Sequence, residues 1–195
     1  EITYGDWSSD VCSSDLMLFA SVAAANHIGI FYDMEGTQCA GDIPINASTN
    51  IYVLAIMDQD ITVTGAEFSV SHWLEQSGPP YGFVTATWFG LVIGDVINGI
   101  SIALDNPIEG RIHHLGTINF FPFLADWIGL DRQWCVTPSL DAGNLIITDG
   151  GFNEIPVLGW CFVANCIPGG IFGNCLCDEF VATEEASWSD VKALY

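Results

Sequence analysis

Along residues 62–72 the side chains alternate. Val63, Gly65, Glu67, Ser69 and Ser71 share one face, and Thr64, Ala66, Phe68, Val70 and His72 share the other. A period of two built from β-branched and aromatic residues predicts a half-buried antiparallel strand. Apolar runs at 28–32 and 50–57, the second closed by Asp58, Gln59 and Asp60, predict two more. The pattern continues at 83–89, 100–105, 111–121, 133–136 and 144–148, with turn chemistry opening at Gly78, Asn98, Asn106, Asp149 and Pro168. Short strands at such spacing predict an all-β fold, an antiparallel β-sandwich. No long helical periods alternate with the strands, as an α/β chain would need. The one predicted helix is terminal and short. Ser187-Trp-Ser-Asp190 sets an acid in the place of a capping-box glutamate, and Trp188, Val191 and Leu194 or Tyr195 follow on one face.

The apolar stretch at 82–104 has the length of a membrane span. It carries Asp95 near its centre and the hairpin dipeptide Asn98-Gly99, so it reads as two buried strands and a turn, with no transmembrane helix.

The N-terminus changes the composition. Residues 6–16, Asp-Trp-Ser-Ser-Asp-Val-Cys-Ser-Ser-Asp-Leu, look like a translated sequencing adapter, and 1–16 read as a non-native segment. Residues 17–25, ending Ala23-Ala24-Ala25, read as a truncated signal peptide, which would start the mature chain at Asn26. Without Glu1, Asp6, Asp10 and Asp15, the 24 acidic residues become 20 and the formal charge of −21 becomes −17. Without Cys12, seven cysteines become six: Cys39, Cys135, Cys161, Cys166, Cys175 and Cys177. In an exported chain these predict disulfides. Cys175 and Cys177 flank a single residue, so they are expected to take different partners. The organisation expected is one β-sandwich over 26–158, with a cysteine-rich segment and the terminal helix, 159–195, packed on it.

Three groups of residues carry a resemblance. They are His-Ile-Gly-Ile-Phe-Tyr-Asp at 27–33 with Gly36-Thr-Gln-Cys39, Thr-Gly-Ala-Glu-Phe-Ser-Val at 64–70, and the ending Val181 to Tyr195 with its Trp-x-x-Val-Lys-x-Leu-Tyr run. The chain resembles a group of secreted bacterial proteins without an assigned activity. The strand at 64–70, with the later one at 110–121, also resembles those of cohesin and immunoglobulin-like sandwiches. The resemblance implies an extracellular β-sandwich and carries over no catalytic or ligand residues.

Arg111, Arg132 and Lys192 are the only cations, too few to neutralise a nucleic acid backbone or to bind an anionic membrane surface. There is no G-x-S-x-G, H-E-x-x-H, P-loop or G-x-G-x-x-G motif. His113 and His114 are adjacent on a predicted strand and point to opposite faces, so they do not chelate one metal together. The cysteine spacings do not match zinc knuckles. Asp58, Asp60, Asp126 and Asp131 lie in predicted loops and are candidate ligands for a structural calcium, with a solvated acidic surface as the plainer reading. Trp73 and Trp127, beside polar or turn residues, are candidate exposed platforms for stacking on sugars. The sequence therefore reads as a non-enzymatic secreted or cell-surface adhesion or structural module, whose partner is an extracellular protein or a glycan. A carbohydrate-binding module using exposed tryptophans is the alternative, and a glycan-processing enzyme comes third.

Overall fold

The computed structural model describes residues 26–74, 77–170 and 175. The adapter-like and signal-like segments, Cys177 and the predicted terminal helix lie outside them. The elements run β1 (His27–Phe31), β2 (Ala40–Gly41), β3 (Thr49–Ser71), β4 (Gly82–Trp88), β5 (Gly90–Asp95), β6 (Gly99–Pro122), α1 (Ala125–Ile128), β7 (Arg132–Thr137), β8 (Ile146–Asp149), β9 (Glu154–Pro156), β10 (Leu158–Gly159) and β11 (Cys161–Ala164). The fold is all-β, an antiparallel sandwich. Among the described residues, only β1 with β10 and β2 with β11 pair in parallel.

Two strands organise everything else. β3 and β6 pair antiparallel from Thr49 with Phe120 to Phe68 with Ile100. The sequence reading breaks each of them in two, at Asp58-Gln-Asp60 and at Asn106-Pro107. The structure carries both breaks through as bulges. Residues 57–60 of β3 stand opposite Arg111 alone, and residues 104–107 of β6 stand opposite Thr64 alone. A bulge tolerates charged side chains in solvent and a proline without an N–H, so turn-like residues fit without ending a strand. Arg111 Nε donates to the carbonyl of Met57 at 3.2 Å and closes one bulge. Thr64 Oγ1 donates to the carbonyls of Thr148 and Asp149 and anchors the other.

The bulges divide the β3–β6 pair into two halves. Around residues 49–56 of β3, the strand order is β10-β1-β3-β6-β4. Around residues 61–68 it is β9-β8-β3-β6-β5. The end of β3 then crosses to the opposing layer, where Ser69–Ser71 pair with β7, followed by β11 and β2.

Alternation supplies the core between the layers. Ile28 and Ile30 from β1, Ile51 and Val53 from β3, and Ile118 and Phe120 from β6 are buried against Trp134 of β7 and Phe162 of β11. Phe162 and Ala164 belong to this core, so the sandwich continues past Leu158 into the cysteine-rich segment. Cys135 bonds Cys161 directly across β7 and β11, and Cys166 bonds Cys175. Cys39 is also disulfide-bonded, to a partner outside the described residues. A second, smaller cluster of Phe31, Cys39 and Leu54 lies on the outer side of β1 and β3, covered by Tyr52, Ile56 and Trp160.

Candidate functional site on the outer face of the second half-sheet

Strand register sets the side chains of this face in two rows. One runs Pro156, Ile146, Glu67, Ser101, Ile93 across β9, β8, β3, β6 and β5; the other runs Glu154, Thr148, Gly65, Ala103, Leu91. Small residues occupy the middle and leave a shallow depression of about 190 Å³. Gly65 cannot be enlarged cheaply, because a Cβ there would stand 2.7 Å from the carbonyl oxygen of Ile102. The β5 side of the depression is apolar and exposed, with Leu91 66% and Ile93 69% accessible. They are the most exposed large apolar side chains on any described strand, and as adjacent members of one face they ask for a covering partner.

Glu67 lies in the floor of the depression. Its Oε1 is buried and has no hydrogen-bond partner. A buried acceptor without a donor costs free energy until a donor arrives, so the face is poised to receive one. Glu154, exposed on β9, adds a second carboxylate to the rim. Their backbones lie two strands and two residues apart, about 12 Å. The depression lies on an open sheet surface and lacks the enclosing walls that exclude water around a reacting bond.

β5 pairs with β6 on one side and, among the described residues, with no strand on the other. Within β5 only the terminal Asp95 is charged, and residues 82–94 of this edge carry neither a charge nor a proline, the devices that normally blunt an edge strand.

The residues singled out in sequence lie elsewhere. Trp73 is half-buried, with its ring 6.0 Å from Phe120 and 5.9 Å from Trp134. Trp127, in α1, is half-buried over Gly82, where a Cβ would stand 2.3 Å from its ring. Both rings seal the rim of the core, where a wide gap at the end of the sandwich takes a large apolar side chain. Neither stands free on a face as a sugar platform would require. Asp58 and Asp60 are exposed on the β3 bulge and Asp126 on α1. Asp131 Oδ1 accepts the Ile167 N–H at 2.7 Å and holds the turn after β11. Among the described residues, no three carboxylate, imidazole or thiolate groups converge as a metal site. His113 is buried and His114 points to the opposite face. Leu91 and Ile93 escaped the sequence reading because an apolar run looks buried whichever face is covered.

A second depression, about 370 Å³, lies beside the Cys135–Cys161 bridge between β7 and the β8–β10 region. Its polar side chains are Gln133, Thr137 and Asn144, and no carboxylate lines it. It offers no acid–base pair.

No family model matches the chain. No curated protein matches its sequence. Among solved structures, the chain is similar to a cohesin module from a Clostridium perfringens family 33 glycoside hydrolase, at 11% identity and a TM-score of 0.42 over 73% of this chain and 98% of that one. It is similar to a non-cellulosomal cohesin from the archaeon Archaeoglobus fulgidus, at 14% identity and a TM-score of 0.37, covering 75% and 94%. A module from Clostridium acetobutylicum, CaCohA2, follows at 10% identity and a TM-score of 0.37, covering 73% and 86%. At these scores the likenesses assign no role to any residue here. No helix among the described residues is long and apolar enough to cross a membrane.

Proposed function

We propose that this chain is a non-enzymatic extracellular adhesion module that grips a protein partner on the outer face of the β9-β8-β3-β6-β5 half-sheet. One observation carries the reading. Leu91 and Ile93 stand two-thirds exposed on an edge strand whose one charge is its terminal Asp95, beside a buried glutamate oxygen that lacks a donor. The disulfides support work in an oxidising compartment, outside the cytosol. Glu67 and Glu154, in a chain with 24 acidic and three basic residues, select a partner segment that is apolar with flanking Lys or Arg. The edge of β5 gives that segment a strand to extend.

A random displayed-peptide library selected on the folded, oxidised chain tests this. Enriched peptides should combine apolar with basic residues, bind more weakly as salt rises, and lose at least tenfold in affinity to the Leu91→Ser/Ile93→Ser variant. Binders indifferent to that variant would overturn the reading.

A further inference from the structure

The other half of the sheet has an outer face of different chemistry. Register places Phe83 of β4 opposite Phe121 of β6, Thr85 opposite Asn119, and Thr87 opposite Thr117. On β3, Asn50 pairs with Asn119 and Tyr52 with Thr117. Ile51, Val53, Ile118 and Phe120, which alternate with these residues, are in the core, so the set faces outward. At one end Phe83 is 47% exposed and makes an edge contact with Phe123 at 5.4 Å. At the other, Phe89 is 44% exposed and packs on the His114 ring at 4.6 Å, which in turn meets Tyr52 at 5.4 Å. Between the two aromatic ends lies a strip of hydroxyls and amides. Its amides are fixed: Asn119 Nδ2 donates to Ser48 Oγ at 2.6 Å and to Asn50 Oδ1 at 2.7 Å.

The face is also uncharged. Residues 43–57, 82–94 and 112–125 contain no Asp, Glu, Lys or Arg, although the whole chain carries 24 acids. His114 is neutral at pH 7, since burial pushes its pKa down against the opposing pull of the Gly116 carbonyl. The strands of this face are drawn from these three strips. A basic partner gains nothing from such a face, and a purely apolar one would leave the Asn and Thr groups unpaired.

We infer that the outer face of β4, β6 and the first half of β3 binds a neutral oligosaccharide, with exposed aromatic rings at the ends and the Asn–Thr strip between them. Sugar rings present apolar C–H faces to aromatics and hydroxyls to amides, and carry no charge. Phe83 and Phe89 are six residues apart along the edge, about 20 Å at strand spacing, which suits several linked sugars rather than one. This site shares no residue with the protein-docking face, so either can fail alone.

The test is calorimetric titration of the full oxidised chain with cellohexaose, xylohexaose and mannohexaose, beside oligogalacturonate as a charged control. The expected result is saturable binding to at least one neutral hexasaccharide, unchanged by added salt and by Leu91→Ser/Ile93→Ser. Phe83→Ala and Phe89→Ala, both at exposed positions, should each weaken it at least fivefold, and Asn119→Ala should do the same. Thr85→Arg, an exposed site, serves as a second check and should abolish binding without unfolding the chain. Absence of binding to every neutral probe would overturn the inference. So would preference for the charged control, or binding that survives the two phenylalanine substitutions.

Discussion

The ring of Phe120, on β6, stacks on the indole of Trp134, on β7, with centroids 4.9 Å apart and planes 3° from parallel. Phe162 continues the stack from β11, 6.0 Å beyond Trp134. These rings join the two layers, and Trp134 is fully buried with an indole N–H that has no acceptor. Trp134→Ala should cost about 3–5 kcal/mol in urea unfolding. Trp134→Phe keeps the stack and removes the unpaired N–H, so its loss should be smaller, about 1–2 kcal/mol. Equal losses for the two would show that the stack does not matter.

The Cys135–Cys161 bridge closes a loop with a sequence separation of 26. Constraining the unfolded chain over such a loop stabilises by about 3 kcal/mol. Cys135→Ser/Cys161→Ser should lower the denaturant midpoint accordingly while leaving the far-UV circular dichroism of a β-protein. Retention of full stability would mean the β7–β11 pairing needs no covalent help.

Three aspartates, Asp33, Asp95 and Asp149, each hold the turn that directly follows them in sequence. Asp95 takes Asn98's side-chain amide and the Asn98 and Ile97 N–H groups. Asp149 takes those of Asn153 and Gly151. Asp33 takes Thr37 and Gln38. Asn98 lowers the Asp95 carboxyl pKa and Asn153 that of Asp149; at Asp33 burial opposes the shift, and the Thr37 hydroxyl with the two amides overcomes it. A depressed folded pKa gives stability that is present above the unfolded value of 3.8 and lost as pH falls through the folded one. Stability contributed by these turns should therefore be level from neutral pH down to about 4 and fall below it. Asp95→Asn/Asp149→Asn should flatten that acid limb in a pH series of thermal melts. An unchanged limb would place the acid sensitivity elsewhere.

The floor of the docking depression is tight. Gly65→Ala puts a methyl against the Ile102 carbonyl and should cost about 1–3 kcal/mol, with the bulge beside Thr64 as the strand's means of relief. A neutral result by thermal melting would show that this segment of β3 yields readily.

The all-β class and most strand positions were legible in sequence, because alternation at 62–72 and the runs at 28–32 and 50–57 follow directly from burying one face. The continuity of β3 and β6 was not. Asp58-Gln-Asp60 and Asn106-Pro107 have turn chemistry, and only their cross-strand neighbours make them bulges. That Cys175 pairs with a cysteine other than Cys177 was expected from the single residue between them, but sequence did not single out Cys166. The tryptophans misled for a related reason. Trp73 and Trp127 have polar neighbours in sequence, yet their rings turn back to the core rim, while Leu91 and Ile93 sit in an apolar run and face outward. Exposure depends on what lies across a sheet, which neighbours in sequence do not specify.

The long β3–β6 pair also sets the order in which the chain can assemble. Its partners come from distant stretches, Thr49 meeting Phe120 and Phe68 meeting Ile100. Contacts of that kind are slow to form, because the intervening chain must lose its freedom before any of them is made. β1, β4, β5 and β8 all pair with one of these two strands. β4 and β5 can close locally on β6, beginning at the Asp95–Gly99 turn, and β1 and β8 on β3, but the two groups join into one sheet only when β3 and β6 meet. The protein thus closes its local hairpins early and gains its full sheet in one long-range encounter.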